Sequence, residues 1–539
     1  MDSPLVSSIF RTLFHHRALL LRRSSPLLAR PHPPRPNANV VGRRALVASS
    51  PPGGGHQPKK AKRKKQEEEK VVVAWQPRSI HMYQDVSQEF DRYPMVTAAD
   101  LVGRRERPRR VKMWARDFID DSLYNPNYGY FSKQAVIFTP GEPFDFPSLT
   151  DDLDFTRVLG QRYTEFEDAL DAKEGVNDVR QLWHTPTELF KPHYGYAIAR
   201  YLVTNYKLSL YPYHDLVIYE MGAGNGTLMT NILDYIRDTD PDVYERTRYK
   251  IIEISPQLAD LQRKAICSPP TSLSSPDSHL LKVEIINKSI FSWDTYIPSP
   301  CFFLALEVFD NFAHDILRYD YRTSQPLQGM VLIDTHGDFH EFYTPHLDPL
   351  ASRFLKVRQH AHPPSATTSS ALKSLLFDKD PLWPFHHPNS PLSPLARSLH
   401  TSLPFSTNLS KPEFIPTKLL TFFDVLREYF PAHRLITSDF SRLPDAVEGW
   451  NAPVVQTRYK RETVPVGTIY VHQGYFDILF PTDWALTESL YRALTGKLTR
   501  VMAHGEFLKR WCVLEEVTVR SGESPLVGWY QNANFMSSV

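Results

Sequence analysis

Along the middle of the chain, short continuous runs of apolar residues alternate with segments whose apolar positions recur at helical spacing. Each continuous run predicts a strand, and four of them follow one another: about 215–220, Tyr249–Ile254, about 282–287 and Cys301–Leu306. Runs without polar alternation are typical of parallel strands that are covered on both faces. Helices are predicted between them at about 227–237 and 256–265. This order predicts an α/β protein with a doubly wound sheet.

The region before these strands is predicted to be mostly helical. Apolar residues recur at helical spacing over Val111–Leu123, and a run with four aromatic residues follows at 124–131. That run is interpreted either as a ligand wall or as part of the core. Thr185–Glu188 has the spacing of a capping box, with a proline in the first turn, so a second helix is expected from there to about Val203. Residues 71–206 are therefore predicted to form a mostly helical, substrate-side extension.

A stretch of different composition interrupts the pattern between residues 360 and 418. It is rich in Pro, Ser, Thr and His, which predicts a flexible surface insertion. The alternation then resumes, so the sheet domain is predicted to be assembled from two segments, 207–359 and 419–539. The second segment is expected to contain a helix, a strand that ends in an acid and a C-terminal edge hairpin: Leu419–Tyr429, Arg434–Phe440, and Cys512–Val519 paired with Trp529–Met536.

Charge is distributed unevenly along the chain, although the net charge is only +2. Residues 1–50 contain eight arginines, several serines and a single acid, Asp2. An N-terminal segment of this composition predicts a mitochondrial transit peptide, and hence a protein of the matrix. The alternative is a disordered tail that has no targeting function. Residues 51–70 include the basic run Lys59–Lys65. We interpret it as a solvated charged linker in preference to a nucleic-acid-binding patch, and no nucleic-acid partner is expected.

The cysteines and the longest apolar runs exclude several classes of protein. Three cysteines lie far apart, at Cys267, Cys301 and Cys512, and none belongs to a C-x-x-C motif. The sequence therefore predicts neither a zinc site nor a disulfide framework. No apolar run approaches the ~18–20 residues that a membrane-spanning helix requires, so no transmembrane segment is predicted.

Candidate chemistry is concentrated where the first predicted strand ends. Glu220 closes that strand, and Gly222, Gly224 and Gly226 follow it before the next predicted helix. Strand, glycine turn and helix are the arrangement with which α/β proteins hold a nucleotide-like ligand at the carboxyl end of the sheet. The glycines allow a sharp turn and a close approach of the backbone. Their spacing differs from the G-x-G-x-x-G of dinucleotide sites, and no G-x-x-x-x-G-K-[ST] loop is present.

Carboxylates at the ends of the predicted strands narrow the choice of ligand. Glu253 closes the second strand, where an acid faces ribose hydroxyls in folds of this kind. Glu220 is expected to balance a cationic group of the ligand, or else to orient the glycine turn. A ligand with a ribose, a positive centre and no pyrophosphate suits this pair, and S-adenosylmethionine is such a ligand. Glu307 and Asp310 follow the fourth strand, where they either grip a cationic substrate or cap a helix.

Four separated stretches together resemble one family, the MidA-like (DUF185) S-adenosylmethionine-dependent methyltransferases. They carry an aromatic motif, the glycine turn, the ribose acid and the acid pair: Leu123–Phe131, Glu220–Leu228, Ile252–Leu258 and Glu307–Asn311. The resemblance implies a Rossmann-like class I methyltransferase fold. It also implies that S-adenosyl-L-methionine is bound by five residues: Glu220, Gly222, Gly224, Gly226 and Glu253. Glu307 and Asp310 are then the candidate catalytic residues, and no metal is expected.

The mitochondrial members of this family are protein arginine methyltransferases that assist the assembly of respiratory complex I. The resemblance therefore implies symmetric dimethylation of an arginine in a mitochondrial complex I subunit. Three departures from the family pattern leave other functions open. The family's Gly-Asp pair is missing from Ala135–Pro140, the proline expected after the acid pair is absent from 311–315, and Ala223 and Asn225 stand where proline and arginine are usual. The alternatives are a non-catalytic assembly factor that retains the cofactor fold, a methyltransferase of another substrate, and a dinucleotide-dependent oxidoreductase.

Overall fold

A computed structural model describes residues 86–133, 135–267, 279–323, 325–361 and 407–539. The predicted transit peptide and linker lie outside the described residues, and so does most of the predicted insertion at 360–418. None of the described helices combines the length and the apolar character that are needed to cross a membrane.

Seventeen strands lie within the described ranges: β1 Val111–Trp114, β2 Ala135–Ile137, β3 Gln181–Trp183, β4 Leu216–Met221, β5 Thr247–Ile252, β6 Val283–Ile286, β7 Cys301–Leu306, β8 Asp315–Tyr319, β9 Pro326–Ile333, β10 Phe339–Thr344, β11 Glu413–Ile415, β12 His433–Phe440, β13 Val454–Tyr459, β14 Glu462–Val466, β15 Asp477–Leu479, β16 Thr499–Ala503 and β17 Ala533–Ser538. The α-helices of the same ranges are Ser87–Arg92, Ala98–Leu101, Ala115–Tyr124, Tyr130–Lys133, Asp152–Glu174, Pro186–Leu189, His193–Ser209, Thr227–Thr239, Pro241–Glu245, Pro256–Cys267, Pro349–Ala361, Thr417–Tyr429, Trp484–Thr495, His504–Trp511 and Pro525–Gly528.

The largest sheet has seven strands in the order β6-β5-β4-β7-β12-β17-β16. The five strands from β6 to β12 are parallel, β17 is antiparallel to β12, and β16 is antiparallel to β17. The chain runs outward from β4 through β5 to β6, and then returns to β7 on the other side of β4. This reversal leaves a crevice at the carboxyl ends of β4 and β7, which is where doubly wound sheets bind ligands. The predicted α/β fold with a doubly wound sheet is confirmed.

Aromatic side chains on one face of this sheet form a core with the helix Thr417–Tyr429. Tyr219 of β4 stacks on Phe303 of β7 with the ring centroids 6.2 Å apart. Phe303 in turn packs edge-on against Phe422 of the helix at 5.7 Å. All three side chains are buried. Burial of one large apolar side chain stabilises a fold by ~1.5–3 kcal/mol, so these contacts hold firmly the strands whose ends form the crevice.

The segment 207–359, predicted as one part of the sheet domain, also contains three strands of a second sheet. β8, β9 and β10 pair antiparallel, and β1 and β11 join them. The buried carboxylate of Asp315 connects this sheet to two helices, because it accepts hydrogen bonds from Arg116 Nη1 and Thr417 Oγ1 at 2.7 Å each. β11 lies within the predicted insertion, so the last residues of that segment belong to the folded part of the chain.

The predicted helix over Val111–Leu123 begins four residues later than expected. Its first residues form β1, which pairs with β9 in the register Val111↔Ile333, and the helix starts at Ala115. Val111 and Met113 are buried as alternate residues of a strand. Tertiary pairing therefore overrides a local apolar pattern that is also compatible with a helix.

The helix expected from Thr185 to about Val203 is divided in two, at Pro186–Leu189 and His193–Ser209. Pro192 lies between them. A proline interrupts a helix because it lacks the N–H donor and because its ring clashes with the preceding turn. The break leaves a short first helix, which carries one of the side chains that hold the candidate site.

The predicted C-terminal hairpin is wrong in one of its two strands. β17 pairs with β16, whereas the expected partner, Cys512–Val519, contains a single-turn helix at Leu514–Val517. Two adjacent acids, Glu515 and Glu516, break the apolar alternation there. β17 also pairs with β12, so β17 and β16 extend the main sheet and β16 lies at its edge.

Two small sheets contribute residues to the lining of the crevice. β2 pairs with β3, and β14, β13 and β15 form a three-stranded sheet. Gln181 joins the two sheets, because its amide accepts from the Arg458 N–H at 2.9 Å and donates to the Arg458 carbonyl at 3.0 Å. The Arg458 guanidinium donates to both carboxylate oxygens of Glu167, at 2.6 and 2.8 Å. A bidentate pair of this kind fixes both position and orientation of the wall.

We predict that Gly474→Ala destabilises the protein, because Gly474 carries the chain toward β15 at a point of close backbone contact. Its φ is +80°, and an added Cβ would lie 1.6 Å from the Tyr128 carbonyl oxygen. We expect a loss of more than about 2 kcal/mol, measured by chemical denaturation. Gly467→Ala is the matched control, since no atom lies within 4 Å of its added Cβ. Equal stability of the two variants would contradict the packing described here.

Candidate active site

A cavity of about 1030 Å³ lies at the carboxyl ends of the central strands. Residues of β2, β3, β13, β14 and β15 also line it. Six of the seven residues predicted for cofactor binding or catalysis line it: Glu220, Gly222, Gly224, Glu253, Glu307 and Asp310. The seventh residue, Gly226, is the last glycine of the turn and the N-cap of the helix Thr227–Thr239. The structure therefore brings together residues that are up to 90 positions apart in the sequence.

The glycine turn has the backbone that its residues predict. The φ angles of Gly222, Gly224 and Gly226 are +75°, +54° and +82°, which is the left-handed region that favours glycine. An added Cβ at Gly224 would lie 2.8 Å from Ile137 Cδ1, so the turn also packs closely against β2. The first N–H groups of a helix have no acceptor within the helix, so the start of Thr227–Thr239 offers donors next to the turn.

Glu188, on the short helix Pro186–Leu189, holds the glycine turn in place. One of its carboxylate oxygens accepts hydrogen bonds from Asn225 Nδ2 at 3.0 Å and from Thr227 Oγ1 at 2.6 Å. Lys191 Nζ lies 3.5 Å from the other oxygen. The sequence pattern predicts only a capping-box role for Glu188, because nothing local connects it with a turn that lies 37 residues later.

Glu253 and Gly224 are linked through one glutamine. Gln262 Nε2 donates to Glu253 Oε2 at 3.0 Å and to the Gly224 carbonyl at 2.9 Å. The N–H of Ser255 donates to the other Glu253 oxygen at 2.8 Å. A carboxylate oxygen can accept two hydrogen bonds, so the Glu253 carboxylate keeps acceptor capacity for a ribose hydroxyl.

Glu220 is buried, and its carboxylate accepts a hydrogen bond from the Tyr249 hydroxyl at 2.8 Å. Burial raises the pKa of Glu220 to about 7, and the charge of nearby Glu253 adds to this rise. Two carboxylates in a desolvated site disfavour each other's ionised form. A cation bound between them relieves that repulsion, so the pair suits a positively charged ligand.

The segment after β7 is held by a third acid, Asp439, at the end of β12. Asp439 Oδ2 accepts from the N–H groups of Phe309 and Asp310, at 2.8 and 3.2 Å. Phe309–Asn311 forms only a single helical turn, and neither Glu307 nor Asp310 caps it. The alternative in which this acid pair caps a helix is therefore wrong, because Asp439 satisfies the N–H groups instead.

Asp310 and Asp477 place carboxylate oxygens at the same end of the cavity. Asp310 Oδ1 and Asp477 Oδ2 are buried and have no hydrogen-bond partner among the described residues. The other oxygen of Asp477 accepts from Asn311 Nδ2 at 3.0 Å. Burial raises the pKa of Asp477 to about 7, and burial together with Asp439 and Asp477 raises that of Asp310 well above its ordinary value. Both groups therefore favour a cation that arrives with its own hydrogen-bond donors.

The aromatic run at 124–131 serves both of the purposes considered for it. Tyr128 and Tyr130 are buried in the core, whereas Tyr124 and Phe131 line the cavity. Tyr124 and Phe131 stack with their ring centroids 5.4 Å apart, and the Tyr124 hydroxyl donates to the Asn311 carbonyl at 3.2 Å. Flat apolar rings next to the carboxylates provide a surface for a planar cationic group.

The geometry fits S-adenosylmethionine better than a nucleotide with phosphates. Both lysines among the described lining residues are paired with acids, Lys288 with Asp294 at 2.7 Å and Lys418 with Asp120 at 2.8 Å. Acids dominate the remaining charge of the cavity, which favours a sulfonium and an ammonium over a pyrophosphate. The strand order β6-β5-β4-β7-β12-β17-β16 and the position of this site are those of a class I S-adenosylmethionine-dependent methyltransferase.

Comparison with known families agrees with this class. Residues 197–502 match the family described as "Putative S-adenosyl-L-methionine-dependent methyltransferase". The match covers more than half of the chain, and the protein belongs to this family. The resemblance found in the motifs is confirmed, and S-adenosyl-L-methionine is the cofactor. Its site would be held by the glycine turn, Glu220 and Glu253.

Two curated relatives carry the same name, "Protein arginine methyltransferase NDUFAF7 homolog, mitochondrial". The protein of Schizosaccharomyces pombe is 24% identical over 415 residues, which is 75% of this chain and 80% of the relative. That of Saccharomyces cerevisiae is 20% identical over 353 residues, or 62% of this chain and 74% of the relative. A solved structure of a superfamily member from Burkholderia thailandensis, bound to S-adenosyl-homocysteine, has 13% identity and a TM-score of 0.47, and covers 79% of this chain and 87% of that one.

We predict that Glu253→Ala weakens binding of S-adenosylhomocysteine by roughly 10- to 100-fold, since hydrogen bonds to a charged group contribute about 1.5–3 kcal/mol. Isothermal titration calorimetry measures this change. Glu284→Ala is the matched control, because Glu284 lies on neighbouring β6 and pairs only with Lys250 at 2.9 Å among the described ion pairs. Wild-type affinity in the Glu253 variant would remove this residue from the cofactor site.

Proposed function

We propose that the protein is an S-adenosylmethionine-dependent protein arginine methyltransferase of the mitochondrial matrix. The observation that carries this proposal is the pair of buried, unpartnered carboxylate oxygens on Asp310 and Asp477. Both lie in the same cavity as the glycine turn that would hold the cofactor. The names of the two curated relatives support an arginine acceptor and a mitochondrial location.

A guanidinium fits these carboxylates better than other common acceptors. It is planar, stays protonated in proteins and offers five N–H donors in a fixed fork, which matches two carboxylate oxygens that need donors. A lysine ammonium is a compact charge without this planar geometry. The stacked rings of Tyr124 and Phe131 lie beside the same carboxylates and suit the flat face of a guanidinium.

The acids have two tasks in the proposed reaction. Asp310 and Asp477 hold the guanidinium and fix which nitrogen points toward the glycine turn. Glu307 receives the proton that this nitrogen must release when it gains a methyl group. S-adenosylmethionine supplies that methyl group in an electrophilic form. Alignment of reacting groups contributes up to ~7–11 kcal/mol toward lowering a barrier, so orientation by these side chains is expected to be a large part of the rate enhancement.

We further propose that the acceptor is an arginine of a complex I subunit, that the product is symmetric dimethylarginine, and that the modification aids complex I assembly. These points rest on the family resemblance of the motifs. The proposal is tested by mass spectrometry of mitochondrial proteins from cells with and without this protein. Loss of dimethylarginine from one complex I subunit is expected; unchanged arginine methylation would overturn the proposal.

One observation favours a second candidate, an assembly factor that retains the cofactor fold but does not catalyse. Val136 and Ile137 of β2 line the cavity beside the glycine turn, in the stretch where the family resemblance would place a Gly-Asp pair. The apolar residues at this position leave the cavity without a carboxylate that the family resemblance would place there. Tight binding of S-adenosylhomocysteine without methyl transfer to any mitochondrial protein would support this candidate.

We predict that Glu307→Gln and Asp310→Asn each lower kcat by roughly 100-fold or more, because proton acceptance and orientation act in the transition state. Affinity for S-adenosylhomocysteine is expected to stay within about threefold of wild type, since the cofactor contacts lie elsewhere. Radiolabelled methyl transfer to an arginine peptide and calorimetry measure the two quantities. Asp242→Asn, on an exposed acid of the helix Pro241–Glu245, is the control. Full activity in both acid variants would remove them from the reaction.

We predict that kcat/KM for an arginine peptide falls as the pH drops below about 7. Asp477 has a pKa raised to about 7, so it is ionised above this pH and becomes neutral below it. The guanidinium does not titrate in this range, so only the enzyme loses charge. We expect a decline of up to about tenfold per pH unit, because kcat/KM reports the ionisation of the free enzyme. A profile that stays flat from pH 5.5 to 8 would contradict this assignment.

A further inference from the structure

Four polar atoms close to the segment after β7 are buried and have no hydrogen-bond partner of good geometry among the described residues. They are the hydroxyls of Tyr194 and Tyr530 and both ring nitrogens of His504. Each of the three residues is only 1% exposed. Most buried polar groups in folded proteins have a partner, and leaving one without a partner destabilises the fold. A contiguous group of such atoms therefore indicates a use that offsets this loss.

The three side chains form one stack, although they come from three different segments. Tyr194 lies on the helix His193–Ser209, His504 begins the helix His504–Trp511, and Tyr530 precedes β17. The His504 ring lies between the phenols, with centroid distances of 5.7 Å to Tyr194 and 5.5 Å to Tyr530. Burial lowers the pKa of His504 to about 3, so it packs as a neutral ring.

The phenols of this stack lie next to Glu307. Burial raises the pKa of Tyr194 and of Tyr530 well above its ordinary value, and the charge of Glu307 adds to the rise. Tyr530 and Glu307 both line the cavity. Asp439 and Asp310 also interact electrostatically with Glu307. Among the described residues no hydrogen bond reaches the Glu307 carboxylate. The Glu307 N–H donates to the Ser438 carbonyl at 2.8 Å, and the Ser438 side chain lies near the Tyr194 phenol.

The backbone at Glu307 shows that this side chain is held in a particular direction. Its φ is +54°, a left-handed conformation that a residue with a side chain adopts only at a cost. Asp439, Asp310 and the phenols of Tyr194 and Tyr530 are the groups that interact electrostatically with Glu307, and of these the phenol hydroxyls can donate to its ionised carboxylate. Donors to the charged form of a carboxylate favour ionisation, which burial and the neighbouring acids oppose.

We propose that Tyr194 and Tyr530 are positioning residues for Glu307: their hydroxyls donate to its carboxylate when it ionises beside a bound cation. His504 is the spacer that sets the two phenol rings on either side of it. The inference rests on the proposed function, because it assigns the phenols a task in presenting Glu307 to the guanidinium. It adds two side chains that no motif in the sequence singles out.

The test uses Tyr194→Phe and Tyr530→Phe in the full-length protein, which remove each hydroxyl and keep each ring. Infrared difference titration follows the protonated carboxyl band of Glu307, identified by its loss in Glu307→Gln. We expect each variant to raise the Glu307 titration midpoint by roughly one pH unit. We also expect kcat at pH 7 to fall by about three- to tenfold and to recover at higher pH, with unchanged affinity for S-adenosylhomocysteine.

Tyr206→Phe is the matched control. Tyr206 lies on the same helix as Tyr194, is fully buried, and donates its hydroxyl to the His214 carbonyl at 2.7 Å. It should lower the unfolding midpoint without moving the Glu307 titration. The inference is overturned if neither phenol variant moves that titration, or if kcat falls equally at every pH, which is what a purely structural role predicts. The infrared titration needs no turnover, so it decides the question even if the wild-type protein transfers no methyl group to arginine.

Discussion

The candidate site depends on one buried carboxylate, that of Asp439. It accepts the N–H groups of Phe309 and Asp310 through one oxygen and the N–H of Phe440 through the other. The first two donors are buried, and each would cost about 1–3 kcal/mol if it were left unsatisfied. These bonds join the end of β12 to the segment after β7, and so they fix where Glu307 and Asp310 stand. The same contacts bury Asp439, whose pKa is raised to about 7.

Several acids are buried in one cavity, so this cavity favours positively charged ligands. Glu220 and Glu253 stand at the glycine turn, and Glu307, Asp310 and Asp477 stand at the acceptor end. Desolvation raises the pKa of each of these carboxyls. Their ionised forms are therefore disfavoured until a cation binds in the cavity. A strained and mutually repelling set of acids lowers stability, which proteins tolerate where function requires it. A sulfonium cofactor and a guanidinium acceptor are both cations, and this electrostatic design suits the two together.

Much of the main sheet could be predicted because its strands are continuous apolar runs. Parallel strands covered on both faces require this composition, and β7 is buried along its whole length except at Leu306. The glycine turn was equally accessible, since the left-handed φ angles of its three glycines are a local requirement. Glu253 could be found because its position follows from the end of a strand. In each case the information lies within about ten residues of sequence.

What the sequence did not reveal depends on contacts between distant segments. Asn311 and Asp477 are hydrogen-bonded across 166 positions, and Glu188 reaches the glycine turn from a separate helix. The second sheet unites β1 with β9 and β11, and no local pattern records that pairing. The partner of β17 was misassigned for the same reason, because two segments of similar apolar character compete and only the sheet decides between them. Side chains that act through tertiary contacts, such as Tyr194 and Tyr530, carry no signal in their own neighbourhood.

The central claim is that buried carboxylates present a guanidinium to a cofactor held at the glycine turn. The most direct test is a crystal structure of the protein with S-adenosylhomocysteine and an arginine peptide. The account predicts guanidinium nitrogens about 2.7–3.0 Å from Asp310 Oδ1 and Asp477 Oδ2, with the ribose hydroxyls on Glu253. A peptide arginine bound outside this cavity, or a cofactor whose ribose does not contact Glu253, would contradict it.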